Sequence, residues 1–209
     1  VGEGQYFATS PDVASDRTSV PLTLPDLSFS LVADRGVFSH SRVDPGTKLL
    51  LLEAGRSPLE PASVLDLGCG WGPIAVALAH RHPDAHVWAV DVNERALGLT
   101  AQNLASVGAA ERSHVLAPDD VPNDVRFDYI ASNPPIRVGK PALHALLESW
   151  LPRLNPGGVA DLVVQKHLGS DSLSTWMETT HGWLVTRLKS RAGYRILRVD
   201  PNPAVTGPT

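Results

Sequence analysis

From Ser63 onward, short apolar runs alternate with segments of helical pattern, and this alternation limits the fold more than any other feature of the sequence. "SVLDLG" reads as a buried strand, "WGPIAVALAHRHP" as a helix closed by Pro83, "AHVWAVDV" as the next strand and "NERALGLTAQNLASVG" as a helix ended by Gly108. "SHVLAP" is a weak third strand and "RFDYIASN" a fourth, followed by a helix near 141–154. "NPGG" (155–158) predicts a turn into a fifth strand, "VADLVVQ", and a further helix lies around 171–180. Short apolar strands that alternate with helices predict a parallel sheet covered on both faces. The ending differs. "WLVTRLKSR" and "YRILRV" are joined through Ala192-Gly193, so these two strands must be antiparallel neighbours.

Ahead of this region, residues 1–17 are polar and irregular, and 18–38 alternate apolar and polar residues around Pro25-Asp26, the pattern of a short hairpin. "DPGTKLLLLEAG" (44–55) reads as a helix with Asp44 as cap, Pro45 in the first turn and Gly55 as the stop. The expected division is an N-terminal extension and hairpin over 1–40 packed on a core, a main domain over 41–200, and a disordered tail over 201–209. At 209 residues, one sizeable domain is expected.

Composition removes several function classes. No run approaches the roughly 18 apolar residues of a membrane span, and "VGEGQYFATSPD" lacks a basic-then-apolar signal pattern. The single cysteine, Cys69, suits a reducing compartment, so a cytoplasmic location is expected. The net charge of −4 gives no global basic field, and a polyanionic partner must be met by a local patch. The eight histidines show no metal-ligand spacing, so no metal is expected.

The first strand runs straight into "DLGCGWG", with glycines at 68, 70 and 72. A glycine-rich turn between strand and helix lets backbone approach a ligand, although it also serves as a tight turn without one. The spacing is GxGxG rather than the GxGxxG of dinucleotide binders. Asp66, two residues before the first glycine, would repel a pyrophosphate and suit a cationic ligand, and S-adenosylmethionine carries both an ammonium and a sulfonium. Asp91 ends the second strand 19 residues after Gly72, where it accepts from ribose hydroxyls or else caps the helix beginning near Glu94. Asp119-Asp120, after the third strand, suits an adenine amino group or is simply a solvated pair.

The fourth strand ends in "SNPPIRVGK" (132–140), a rigid polar corner that packing alone does not require. A planar exocyclic amine is a poor nucleophile because its lone pair is delocalised. Two acceptors that hold both amine hydrogens orient that lone pair. The Asn133 side-chain oxygen and the Pro134 carbonyl are candidates, and Pro134 and Pro135 each fix φ and restrict the residue before. If the first and fourth strands flank the point where strand order reverses, this corner and the glycine loop face one crevice.

Together "VLDLGCGWGPIAVALA", "VDVNERAL" and "FDYIASNPPI" resemble the class I S-adenosylmethionine-dependent methyltransferases that modify exocyclic amines. "GVFSHSRVDPGTKLLL" and "NPGG…LVVQK" narrow the resemblance to the small-subunit ribosomal RNA guanine-N2 methyltransferases, in their short single-domain form, over residues 6–199. The resemblance implies a Rossmann-like seven-stranded α/β sheet with an antiparallel last strand, helices on both faces and an extra N-terminal hairpin. It implies cofactor contacts from Asp66, Gly68, Cys69, Gly70, Asp91, Val92, Asp119, Asp120 and Asn133. It places the target amine against Asn133 and Pro134, with Pro135 and Ile136 completing the corner and Phe38 near the acceptor base. Ile136 departs from the family, which usually has a stacking aromatic at that position.

An RNA partner, ribosomal RNA or the small ribosomal subunit, needs cations for its phosphates. Arg42, Arg137, Lys140 and Lys166 are the candidates. The same corner also serves an adenine amine or a protein glutamine, and a catalytically silent, RNA-docking module that binds the cofactor is the rival from outside enzymes.

Overall fold

The structure, a computed structural model, describes residues 13–54, 60–135 and 138–202. Strands β1 (Thr18–Leu24) and β2 (Leu27–Ala33) pair antiparallel as a separate hairpin, turning at Pro25-Asp26. Helix α1 (Pro45–Glu53) follows, capped by Asp44. The main sheet is then built from β3 (Ser63–Leu67), β4 (His86–Val90), β5 (Ser113–Leu116), β6 (Phe127–Ser132), β7 (Leu154–Gln165), β8 (Leu184–Arg191) and β9 (Tyr194–Asp200). Between them lie α2 (Pro73–Arg81), α3 (Glu94–Ser106), α4 (Lys140–Trp150) and α5 (Ser170–His181).

The strand order is β5-β4-β3-β6-β7-β9-β8. The β3, β4, β5, β6 and β7 pairings are parallel, whereas β9 is antiparallel to both β7 and β8. The last strand therefore inserts between β7 and β8, and the two-residue Ala192-Gly193 connection makes it the antiparallel neighbour of β8. Strand order reverses between β3 and β6, and the Ser132 hydroxyl donates to the Leu67 carbonyl at 2.6 Å, joining their carboxyl ends.

Alternate residues along the strands feed two cores, as period-two side chains must. On one face, Val64, Val87, Tyr129, Val163 and Ile196 pack with the hairpin, α1, α2 and α3. On the other, Leu65, Phe127, Ile130, Leu162 and Leu197 pack with Leu147 and Trp150 of α4 and Leu173 and Met177 of α5. The buried Asp161 carboxylate spans three strands on the first face. It accepts from the Tyr129 hydroxyl at 2.6 Å and from Arg198 at 2.8 Å, and Arg198 is held above its usual pKa by that bond.

The hairpin is fastened by side chains rather than by strand pairing. Asn103 of α3 accepts from the Val32 amide and donates to the Val32 carbonyl, both at 2.8 Å. Arg81 of α2 forks onto Asp26 in the hairpin turn at 2.8 and 3.1 Å and also donates to the Leu51 carbonyl.

Three expectations are corrected. The hairpin strands stop at Ala33, and turns fill the chain from there to α1, because Gly36 and Ser39 take positive φ. The helix near 141–154 ends at Trp150; a single tight turn leads to Leu154, which already pairs with Phe127. The "NPGG" segment is not a turn before the strand but an irregular stretch within β7, where pairing resumes at Tyr129 and Val159. Gly157 at φ 80 absorbs the extra length. Gly55 and residues 203–209, called stop and tail from sequence, lie outside the described residues.

Candidate functional site

The loop after β3 is shaped by its hydrogen bonds. The Gly68 and Cys69 amides both donate to the Val90 carbonyl, at 2.8 and 3.0 Å, so the chain turns back over the end of β4. Gly68 has φ +79, and a Cβ added there would meet nothing within 4 Å: the backbone conformation requires glycine, and open space lies above it. Gly72 differs. At φ +88, an added Cβ would lie 2.9 Å from Thr100 Oγ1 and 3.2 Å from its Cα, so glycine is what lets α3 approach. Thr100 in turn donates to the Gly70 carbonyl at 2.9 Å, and Asn103 donates to the Trp71 carbonyl at 2.7 Å. One asparagine thus ties the hairpin to the glycine loop.

Asp91 holds the loop from beneath. Its Oδ2 accepts from the Gly70 amide at 2.9 Å and its Oδ1 from the Asn93 amide at 3.0 Å. The cap of α3 is Asn93, whose side chain accepts from the Arg95 and Ala96 amides, so Asp91 is not that cap. Burial pushes the Asp91 carboxyl above its usual pKa despite these amides.

The β6 corner and this loop line one cleft of about 430 Å³. Gly68, Cys69, Gly70, Asp91 and Val92 line one part; Asp44, Thr47, Asn133, Pro134 and Pro135 line another. Phe38, 50% exposed, and Val92, 43% exposed, stand at the mouth. Phe38 is set by the turn after it: Ser39 has φ 54, and its hydroxyl donates to the Arg42 carbonyl at 2.7 Å.

The orientation of Asn133 follows from its partners. Its Nδ2 donates to Asp44 Oδ2 and to Thr47 Oγ1, both at 3.0 Å. A carboxylate only accepts, so the amide nitrogen must face α1 and the amide oxygen must face away. Asp44 Oδ2 also receives the Gly46 and Thr47 amides at 2.8 and 3.1 Å. The helix cap therefore doubles as the lock on the corner. Among the described residues, nothing donates to Asn133 Oδ1.

Asp66 departs from expectation. It is fully buried and absent from the cleft wall; its Oδ2 accepts from the Ala75 amide at 2.9 Å, and its Oδ1 has no partner. The reason is the start of α2, whose first-turn amides need an acceptor and have no side-chain cap. Burial raises its pKa to about 8. Cys69 is also buried, and burial, Asp91 and Asp66 push its thiol well above the usual range, which removes it as a nucleophile.

Asp119 and Asp120 are exposed on a tight turn after β5, and Pro118 rather than either carboxylate reaches the cleft. Arg42, Lys140 and Lys166 are exposed and do not line the cleft, but each adjoins a segment that does: Ser39, Leu168 across from Lys140 near Gly169, and Gln165. Ile136 and Arg137 lie outside the described residues. Sequence reasoning missed Thr47 and the second role of Asp44. The cap signal was visible, but nothing in the sequence paired it with a residue 89 positions away. Among the described residues, no group of three or more histidines, cysteines or carboxylates is arranged for a metal, and no helix is long and apolar enough to cross a membrane.

The profile of the family described as "Methyltransferase small domain" matches residues 28–198. The chain is 32% identical over 197 residues to YbxB of Bacillus subtilis, described as an uncharacterized protein, covering 92% of this chain and 96% of that one. It is 34% identical over 152 residues to ribosomal RNA small subunit methyltransferase C of Shewanella loihica, covering 70% of this chain and 43% of that one. The solved structure of the T. thermophilus 16S rRNA N2 G1207 methyltransferase, in complex with AdoMet and guanosine, superposes with a TM-score of 0.73 at 26% identity, over 91% of this chain and 52% of that one. The chain thus spans nearly all of YbxB but only about half of the two ribosomal RNA methyltransferases. The seven-stranded sheet with its inserted last strand, the glycine loop over β4 and the profile match across most of the sequence together make the chain a member of the methyltransferase small domain family.

Proposed function

We propose that this methyltransferase acts on an exocyclic amine, the N2 of a guanine in ribosomal RNA, and that Asn133 and Pro134 hold that amine. The observation that carries the reading is the locked Asn133 amide, whose oxygen is left as an acceptor in the same cleft as the glycine loop. S-adenosylmethionine is the cofactor, and when bound it would supply an electrophilic methyl group carried on its sulfonium.

The residues present fit that cofactor. The open space over Gly68 admits a ligand against backbone, Asp91 at the end of β4 suits ribose hydroxyls, and Val92 offers an apolar wall. The Asp91 carboxylate in the cleft wall favours a cation nearby, which would ease the burial that raises its pKa. Asn133 Oδ1 and the Pro134 carbonyl accept the two amine hydrogens, so the lone pair points across the cleft. Because Nδ2 is already bonded, the amide needs no reorganisation when the acceptor arrives. The methylated amine is acidic and sheds its proton to water, so no strong base is required. Phe38 at the mouth supplies a face for the base, and Arg42, Lys140 and Lys166 supply cations for flanking phosphates.

The test is incubation with methyl-labelled cofactor and, separately, purified small and large ribosomal subunits, naked ribosomal RNA and total protein, followed by mapping of the labelled atom. Label on a guanine N2 supports the reading. Label confined to an adenine amine or a glutamine side chain refutes it.

A further inference from the structure

We propose that Asp44 reads the base: its free carboxylate oxygen accepts the ring N1–H of guanine beside the amine held by Asn133. The inference rests on the guanine-N2 reading and deepens it. Asp44 Oδ2 is saturated by the Gly46 and Thr47 amides and the Asn133 side chain. Among the described residues, nothing donates to Oδ1, although Asp44 lines the cleft beside Asn133. The wall therefore presents two neighbouring acceptors, one an amide oxygen and one a carboxylate oxygen, coupled through a single 3.0 Å hydrogen bond.

Among the standard bases, only guanine sets a ring N–H directly beside an exocyclic amine. Adenine and cytosine place a ring-nitrogen lone pair beside theirs, and a glutamine side chain places a carbonyl oxygen there. A carboxylate oxygen attracts the first arrangement and repels the other three. A neutral acceptor would discriminate less, because hydrogen bonds to charged groups are roughly twice as strong. Asp44 thus supplies a base preference that stacking on an aromatic would not.

The substitution that isolates this role is Asp44→Asn. Asparagine caps helices as well as aspartate does, and its side-chain oxygen still accepts from Gly46, Thr47 and Asn133. Only the second oxygen changes, from an anionic acceptor to an amide donor. The probes are guanosine, 1-methylguanosine and adenosine as free nucleosides, with dissociation constants measured by titration in the presence of S-adenosylhomocysteine. The wild-type protein is expected to bind guanosine at least about tenfold more tightly than either of the others. Asp44→Asn is expected to lose that ratio while its melting temperature and affinity for S-adenosylhomocysteine stay unchanged. A ratio that survives in Asp44→Asn, with guanosine still bound, overturns the role of Asp44 alone. Wild-type protein that binds adenosine in preference to guanosine overturns the guanine-N2 reading, and this inference falls with it.

Discussion

Replacing Asp91 by alanine is expected to damage the protein before any cofactor is added. The carboxylate accepts two backbone amides, Gly70 at 2.9 Å and Asn93 at 3.0 Å, one from the glycine loop and one from the approach to α3. Hydrogen bonds to a charged group contribute about 1.5–3 kcal/mol each. Part of that is already offset, since burial raises the Asp91 pKa and removing the side chain relieves that cost. A net loss of about 2 kcal/mol is the reasonable middle. For a domain of this size each kcal/mol shifts Tm by about 2–4 °C, so the ligand-free variant should melt roughly 6 °C lower. If Asp91 also accepts from the ribose, losing those bonds should weaken S-adenosylhomocysteine binding by a further factor of about 30. Thermal melts without ligand and calorimetric titration of S-adenosylhomocysteine separate the two effects. An unchanged ligand-free Tm would refute the loop-bracing argument, and an unchanged affinity would refute the ribose contact.

Three further outcomes are expected. Asp66, with a folded pKa of about 8 against 3.8 when free, keeps a proton in the native state that the unfolded chain sheds; its contribution is therefore full below pH about 4 and is lost as pH rises toward 8. Asp66→Asn should accordingly lose less stability than wild type between those limits in urea titrations, and parallel losses would contradict the burial argument. Asn103→Ala strands the Val32 amide and two carbonyls, so a cost of about 2–4 kcal/mol is expected, with faster hydrogen exchange at Val32; a cost below about 1 kcal/mol would mean that the hairpin is held elsewhere. Gly72→Ala drives a Cβ to 2.9 Å from Thr100 and should cost roughly 2–4 kcal/mol, whereas Gly68→Ala meets no atom within 4 Å and should cost mainly backbone strain and cofactor affinity; equal melting temperatures for the pair would refute the packing distinction.

The parallel core was legible because the strands carry apolar runs, and the antiparallel pairing of β8 with β9 follows from the short Ala192-Gly193 connection, which leaves open on which side of β8 the last strand lies. That the glycine loop and the Asn133 corner line one cleft was legible too, since it depends only on β3 and β6 flanking the reversal of strand order. What escaped were interactions that depend on long-range register. Asp66 faces the start of α2 rather than the cleft, because an uncapped helix claims its carboxylate. Asp119 and Asp120 sit on a turn whose backbone turns them outward, leaving Pro118 at the cleft. The bond from Asn133 to Asp44 joins two segments whose individual signals, a proline corner and a helix cap, carry no trace of each other. The irregular stretch at 155–158 reads as a turn because turns and bulges use the same residues.

The proposed transfer needs a fixed acceptor pair facing the donor across one cleft, and the most direct measurement is single-turnover methyl transfer by Asn133→Ala with cofactor affinity determined in parallel. Affinity for S-adenosylhomocysteine within about threefold of wild type, together with a transfer rate reduced at least about a hundredfold, is the predicted result. Transfer at the wild-type rate by this variant would contradict it.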